Sequence, residues 1–476
     1  MTGSSLPKVR FAPSPTGFLH VGGLRTALFN FLFARKNSGK FVLRIEDTDK
    51  SREVPGAVEN IKETLRTFGL NWDEGPIFQS ERLKIYHEHV SKLVAQGTAY
   101  KCDCSEERIA DLKKQAQAEK RPFRYDKHCL KNPAPSTGSG SNHFVIRQNV
   151  PEEGTTSFED LVYGKIQVAN NTLDDGILFK SDGYPVYNFA NVIDDHLTEI
   201  THVIRGEEFI PSTPKHILLY KSFGWQIPQF AHLPLLVDKK RQKLSKRSGD
   251  VAVKEYIEKG YLPEAILNFI ALLGWNPKTE QEIFSLDELV KSFDLQKVNK
   301  SAAVFDSKKL DWFNGHYIKQ KSASELLKSA RKYFPTTDTS QYPDQFLVKI
   351  LEIEKERLNK LSEAGERTGY FFQEPEYNKD LLSWKGMTDE EIKKSLEMSK
   401  KIIFNFQFSI SKKEIQKTFL EEIGEGDKGV LLWPLRAALT GLKASPGPFE
   451  ILETFFCLQN GKEIVLKRIQ KAIDKI

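Results

Sequence analysis

The hydrophobic positions change their period twice within the first fifty residues. Residues 8–12 are short and partly β-branched, as a strand requires. Leu24, Ala27, Leu28, Phe31 and Leu32 then recur at helical spacing, and Gly39 closes that segment. Residues 41–45 form a compact apolar run of strand length. Strand, helix and strand in this order predict a βαβ unit, hence a parallel sheet with a right-handed crossover. The same style returns at residues 201–205 and 231–237, two apolar runs flanking a helical stretch at 212–223.

Between these halves, residues 99–187 read differently. They contain the loop-forming tract NPAPSTGSGSNH (132–143), then short alternating segments such as HFVIRQ and GKIQVAN. An insertion that splits one nucleotide-binding sheet into two sequence halves is the simplest account. From about residue 250 strand signals fade and helical patterns dominate, for example EAILNFIALLGW (264–275) and ELLKSARKYF (325–334). The predicted class is α/β, a parallel-sheet domain split by an α/β insertion and followed by an all-α C-terminal half. No repeat of fixed period is visible.

Composition narrows the function classes. The mean hydropathy of −0.45 and the lack of any run of about 18 apolar residues exclude a membrane-spanning helix. The leader MTGSSLPKVRF has no hydrophobic stretch of the secretory kind, and the few residues before Arg10 are too short for an organellar transit peptide. Four cysteines cannot staple a chain of this length, so a reducing, cytoplasmic setting is expected. The net charge of +6 is compatible with a polyanionic partner but too mild to demonstrate one. Residues 331–476 balance 24 basic against 23 acidic side chains, so charge alone gives no sign of nucleic-acid binding there.

The chemistry concentrates in two stretches. In APSPTGFLHVGG (12–23), prolines restrain the chain after the first strand, and Gly17, Gly22 and Gly23 permit close approach at a helix start. Free N–H groups and the positive end of the helix dipole suit a phosphate there, and His20 could donate to a phosphate oxygen. Taken alone, this is better read as a proline-rich turn with a solvated histidine. The second stretch, KRQKLSKRSGD (240–250), follows the strand at 231–237 and carries Lys243, Lys246 and Arg247 on a Ser/Gly-containing loop. Such cations could close over a triphosphate and neutralise charge developing on leaving pyrophosphate.

Together these stretches resemble the two signatures of class I aminoacyl-tRNA synthetases, with Gly23 at the last position of the first and KLSKR as the second. VRFAPSPTG, FVLRIEDTD (41–49), SDGYPVYNFANVIDDH (181–196), THVIRGEE (201–208), GYLPEAILNFIALLGW (260–275) and PLRAALTG (434–441) extend the resemblance to bacterial-type glutamyl-tRNA synthetases over essentially the whole chain. The resemblance implies a Rossmann-type catalytic domain at 1–98 and 188–249, an acceptor-binding insertion at 99–187, a stem-contact domain at 250–330 and an anticodon-binding domain at 331–476. It implies two steps: glutamate and ATP give glutamyl-adenylate and pyrophosphate, then a terminal ribose of tRNA(Glu) takes the glutamyl group.

By that resemblance, Arg10, Ser14, Glu46, Tyr187, Asn191 and Arg205 bind glutamate. The arginine forks suit its carboxylates and the glutamate side chain its ammonium. Which arginine takes which carboxylate stays open, as does the alternative that Glu46 merely caps the next helix, a role Asp47 or Asp49 could fill. ATP is assigned to His20, Gly22, Gly23, Glu208, Lys243, Lys246 and Arg247, with Glu207 as an alternative to Glu208. His20, Lys243 and Lys246 are the catalytic candidates. Mg²⁺ is expected with the triphosphate.

Cys102 and Cys104 form a C-x-C pair, and Cys129 follows in RYDKHC. This resembles the family's zinc site, which uses three cysteines and a fourth ligand. The position that often supplies a histidine is Lys131 here, leaving Tyr125 or the nearby His128. Structural zinc and three unligated cysteines are both compatible with the spacing. Cys457 lies apart on an apolar helix and is expected in the core. Arg357, in EKERL, falls where the family reads the anticodon, the other reading being a solvated helix charge. Four alternatives remain: an enzyme that also charges tRNA(Gln), a tRNA-modifying paralogue, a glutaminyl-tRNA synthetase, and a non-catalytic RNA-binding module. The helical C-terminal half disfavours the second and third, and intact His20, Lys243 and Lys246 the last. No obligate interface is evident, so a monomer is expected.

Overall fold

The computed structural model describes residues 6–133, 144–244, 252–336, 338–407 and 410–476. The chain divides into two compact units: Met1–Tyr256 with Ile266–Ser307, and Ile257–Ala265 with Lys308–Ile476.

The first unit is built on the expected βαβ start. Strand β1 (Lys8–Phe11) leads into the helix Val21–Lys36 and then β2 (Lys40–Ile45), which pairs parallel to β1 from Lys8↔Lys40 to Phe11↔Leu43. The helix closes on the sheet through Leu24, Leu28 and Leu32, all fully buried. β3 (Glu74–Phe78) adds a third parallel strand.

The insertion folds largely as its own antiparallel sheet of β4 (Ala99–Cys102), β5 (Val145–Gln148) and a later strand, Ile177–Phe179. Its hairpin of β6 (Thr155–Asp160) and β7 (Gly164–Ala169) goes elsewhere. Numbering Ile177–Phe179 as β8, the two strands that follow are β9 (His202–Gly206) and β10 (Gln229–Leu233). β6 pairs parallel to β10 at Asp160↔Phe230, giving the order β7-β6-β10-β9. Sequence position therefore does not separate the hairpin from the catalytic sheet, because an edge strand pairs with whichever edge is open. The two sheet halves meet where the Thr201 amide donates to the Lys8 carbonyl at 2.9 Å.

The apolar run 231–237 is one strand in the sequence reading and two in the structure, β10 and β11 (Leu236–Val237), because Pro234 cannot donate to a ladder. β11 pairs parallel with β12 (Ala303–Val304).

The second unit is helical, as expected, from Ser307–Gln320 to Gly461–Asp474. Three of its helices start on a capping box, Ser322 with Glu325, Thr388 with Glu391 and Ser411 with Glu414. In each, hydroxyl and carboxylate satisfy backbone donors reciprocally, which sets where the helix begins. Among the described residues no helix is long and apolar enough to cross a membrane.

Candidate active site

A cavity of about 640 Å³ opens at the C-terminal ends of β1, β2 and β9, within the first unit. This is where open parallel sheets place their ligands, and the volume is that of a small-molecule site.

The helix starting at Val21 presents its N-terminus to this cavity. His20 is its N-cap: the Gly23 amide donates to His20 Nδ1 at 3.3 Å. With Nδ1 accepting, the ring proton sits on Nε2, a donor suited to a phosphate oxygen. A Cβ at Gly23 would lie 2.7 Å from Leu19 Cδ1, so the turn leaves room for backbone only. Lys243 lines the same cavity. A tight reversal returns it there: Asp238 N donates to Gln242 O, Leu244 N to Leu236 O, and Arg241 takes φ +59° at the corner. Lys246 and Arg247 lie outside the described residues.

Glu208 lines the cavity, whereas Glu207 is occupied with structure, accepting from the Leu235 amide at 2.9 Å and from the Tyr163 hydroxyl. Gly206 makes room for Glu208, since a Cβ there would collide with Oε2 at 2.1 Å. The two glutamates of RGEE thus divide their roles by geometry, a distinction their spacing does not carry.

The cavity lining also includes Arg10, Ser14, Glu46, Tyr187 and Arg205. Asn191 stands one helical turn after Tyr187, buried and not on the cavity wall, with Oδ1 lacking a hydrogen-bond partner. Glu46 does not cap the next helix: that short 3₁₀ turn, Lys50–Arg52, has Asp49 at its N-cap position with no side-chain cap bond, and Asp47 accepts instead from the more distant Ser80, amide at 2.8 Å and hydroxyl at 2.6 Å. Glu46 is buried and accepts from Arg44 Nη2 at 3.2 Å. Burial pushes its carboxyl up to about 7, with Arg44 and Arg10 holding it back from going further.

Several supporting residues were not among the sequence candidates. Asp195 accepts from Arg10 at 3.0 and 3.2 Å and from Arg44 Nη1 at 2.7 Å. Asp194 accepts from Gln79 and the Tyr86 hydroxyl at 2.7 Å and from Arg82 at 2.8 Å. The adjacent aspartates in VIDDH were the visible signal, but which arginines they hold depends on the fold. Arg25, also on the cavity wall, donates to the Leu273 and Pro234 carbonyls, and burial pushes it down to about 10.

Away from this cavity, the sulfurs of Cys102, Cys104 and Cys129 lie within 4.8 Å of one another. The Tyr125 hydroxyl sits among them, 3.4 Å from Cys102 Sγ and 3.2 Å from Cys104 Sγ, and accepts from the Cys129 amide at 3.0 Å. His128 is exposed and outside the group. Three sulfurs and one oxygen, mostly buried, are a donor set that tetrahedral zinc accepts. In the second unit, Arg357 ends a short 3₁₀ turn, partly exposed, with Nη1 3.5 Å from buried Glu354 Oε2. Cys457 is only half-buried, its Sγ near the Glu453 carbonyl, rather than fully in the core.

Two family models match the chain: "tRNA synthetases class I (E and Q), catalytic domain" over residues 8–312 and "Anticodon binding domain" over residues 325–473. A glutamate–tRNA ligase of Clostridium tetani is 45% identical over 492 positions, spanning 100% of this chain and 99% of the relative. One of Clostridium acetobutylicum is 46% identical over 98% of both. The crystal structure of a glutamate tRNA ligase from Elizabethkingia meningosepticum in complex with its amino acid superposes with a TM-score of 0.86, at 35% identity and 99% coverage of each chain. With its catalytic and anticodon segments matched in order and its full length aligned, the chain belongs to the class I tRNA synthetases of the E and Q group, among the glutamate–tRNA ligases.

Proposed function

We propose that the chain activates glutamate with ATP and transfers the glutamyl group to tRNA(Glu), with the cavity as the site of both steps. The observation that carries this is one cavity lined both by a phosphate-ready helix N-terminus, Lys243 and Glu208 and by Arg10, Arg205, Tyr187 and Glu46. Arg10 and Arg205 take the two carboxylates and Glu46 the ammonium. His20, Gly22, Gly23 and Lys243 hold the triphosphate, joined by Lys246 and Arg247, and Glu208 holds the ribose side.

The α-carboxylate attacks the α-phosphorus in line, the bond to the bridging oxygen breaks and pyrophosphate leaves. A ribose hydroxyl of the tRNA 3′ end then attacks the adenylate carbonyl carbon and AMP leaves. A carboxylate is already a nucleophile at neutral pH, so positioning and charge stabilisation suffice for the first step. Mg²⁺ enters with ATP and shares the neutralisation of its phosphates. Cys102, Cys104, Cys129 and Tyr125 are the residues that would hold zinc, which would pin the start of the insertion. tRNA(Glu) is the favoured acceptor, and charging of tRNA(Gln) has no specific observation behind it.

Glutamate-dependent ATP–pyrophosphate exchange, run with and without tRNA, tests the reading. Exchange with glutamate and none with glutamine or aspartate is expected. Absence of exchange in the presence of tRNA(Glu) would overturn it.

A further inference from the structure

The two cavity arginines differ in their surroundings. Arg10 is paired with Asp195. Arg205 is equally buried, yet among the described residues no carboxylate lies within ion-pairing distance of it. Its donors go to neutral groups on three elements. Nε donates to His232 Nε2 at 3.2 Å, across the β9–β10 register that pairs Arg205 with His232. Nη2 reaches Thr213 Oγ1 at 2.8 Å and His216 Nδ1 at 3.3 Å, both on the helix Thr213–Phe223. Nη1 donates at 3.1 Å to the hydroxyl of Tyr187, which lines the cavity with Arg205.

The far nitrogen of each ring indicates its tautomer. His232 Nδ1 lies 2.6 Å from Asp160 Oδ2, an acceptor, so the proton sits on Nδ1 and Nε2 offers a lone pair. His216 Nε2 lies 2.9 Å from Asn188 Oδ1, which leaves its Nδ1 as the acceptor. The charged groups around the rings agree. His216 faces Arg205, Lys215, Arg10 and His232, all of which oppose a second proton, and burial opposes it more strongly still. His232 faces Asp160 and Glu208, which favour protonation, but burial and Arg205 prevail. A protonated His232 would aim N–H against the Arg205 Nε–H.

We infer that Asp160, His232 and His216 are positioning residues for substrate recognition: they aim Arg205 through the lone pairs of neutral rings and leave its charge uncompensated for a carboxylate of the amino acid. The inference rests on the reading that Arg205 binds glutamate. A direct carboxylate partner of the kind Arg10 has would orient the guanidinium as well, but it would occupy part of the fork and offset part of the charge. Asp160 sits one bond network further back, on β6, so the hairpin that joins the catalytic sheet from within the insertion helps to shape the amino-acid site.

The test turns on replacing an acceptor with a donor. In Asp160→Asn the amide can donate to His232 Nδ1, moving the ring proton to Nε2 and against Arg205. The KM for glutamate should rise on the order of tenfold, the scale of a lost buried hydrogen bond, while the KM for ATP and kcat change less than about twofold. His232→Leu, which removes the acceptor, should match it, and His232→Gln, which keeps an oxygen near the Nε2 position, should recover most of the loss. Thermal melting of each variant identifies misfolding. If they misfold, ¹⁵N shifts of the histidine rings in the unmodified protein decide, and His232 should be protonated on Nδ1 alone at neutral pH. A proton on Nε2, or normal glutamate KM in folded Asp160→Asn and His232→Leu while Arg205→Ala raises it, would overturn the inference alone. An unchanged KM in Arg205→Ala would overturn the assignment of Arg205 and this inference with it.

Discussion

Arg10, which lines the cavity, and Asp195 form a two-point ion pair, Nε to Oδ1 at 3.0 Å and Nη2 to Oδ2 at 3.2 Å. Asp195 also accepts from Arg44, so one carboxylate holds two buried guanidiniums. Burial alone would raise the Asp195 carboxyl, and Arg10 and Arg44 outweigh it, holding it below the usual carboxylate range. Its contribution to stability is therefore present above the ordinary carboxylate pKa and lost only as pH falls through the lowered value. Asp195→Ala leaves buried Arg10 without a carboxylate and Arg44 with Glu46 as its close partner, and should cost about 3–5 kcal/mol in chemical denaturation. A loss below about 1 kcal/mol would show that water or neighbouring groups replace it.

Glu46 predicts a pH dependence of amino-acid binding. Its carboxyl, raised to about 7 by burial, is partly protonated near neutrality, and an ammonium can pair only with the ionised form. The KM for glutamate should fall as pH rises from about 6 to 8, and binding near pH 7 should release protons, read by calorimetry in buffers of different ionisation enthalpy. The sign is opposite for stability, because a raised carboxyl pKa favours the folded state most strongly at low pH. Glu46→Gln should flatten the KM profile and raise its floor. A flat profile in the unmodified protein would remove Glu46 from the ammonium.

The signature loop should act on adenylate formation alone. Lys246→Ala removes a cation from developing pyrophosphate charge and should slow that step by a factor on the order of a hundred or more. Transfer from preformed adenylate should change far less. Equal losses in both steps would make the lysine structural or a tRNA contact.

Metal content separates the two readings of the cysteine cluster. Protein purified without chelator should hold about one zinc per chain, and Cys129→Ser should lose it and melt at lower temperature. Three reactive thiols and no metal in the unmodified protein would leave the cluster as hydrogen-bonded cysteines.

Arg357 is the candidate reader of the third anticodon base. Its partner Glu354 is buried, so the arginine is anchored from one side and partly exposed on the other. A guanidinium donating to a cytosine carbonyl would favour tRNA(Glu) over tRNA(Gln), whose anticodon ends in guanine. Arg357→Gln should cost roughly 1–3 kcal/mol of discrimination, by analogy with base contacts in DNA. The readout is the ratio of kcat/KM on the two tRNAs. A ratio near one in the unmodified protein would show a non-discriminating enzyme, and a high ratio that survives the mutation would place the reader elsewhere.

Local pattern by itself determined the βαβ opening and the helical second half, and it marked the glycine-rich helix start that lines the cavity. Helical and strand periods and glycine placement are properties of neighbouring residues, legible without a fold. Motif resemblance carried Arg10, Glu46, Tyr187 and Arg205 to one site, and the structure places all four, though not Asn191, in the lining of one cavity. What only the tertiary structure decided was partnership. Glu207 and Glu208 are chemically identical, and the Leu235 amide and Tyr163 hydroxyl claim one of them. Arg10 and Arg205 are equally basic, yet one meets Asp195, 185 residues away, and the other two neutral histidines. Asp160 reaches His232 because an open sheet edge accepted its strand. Charge, tautomer and pKa depend on neighbours brought together from distant parts of the chain, and spacing along the sequence carries no record of them.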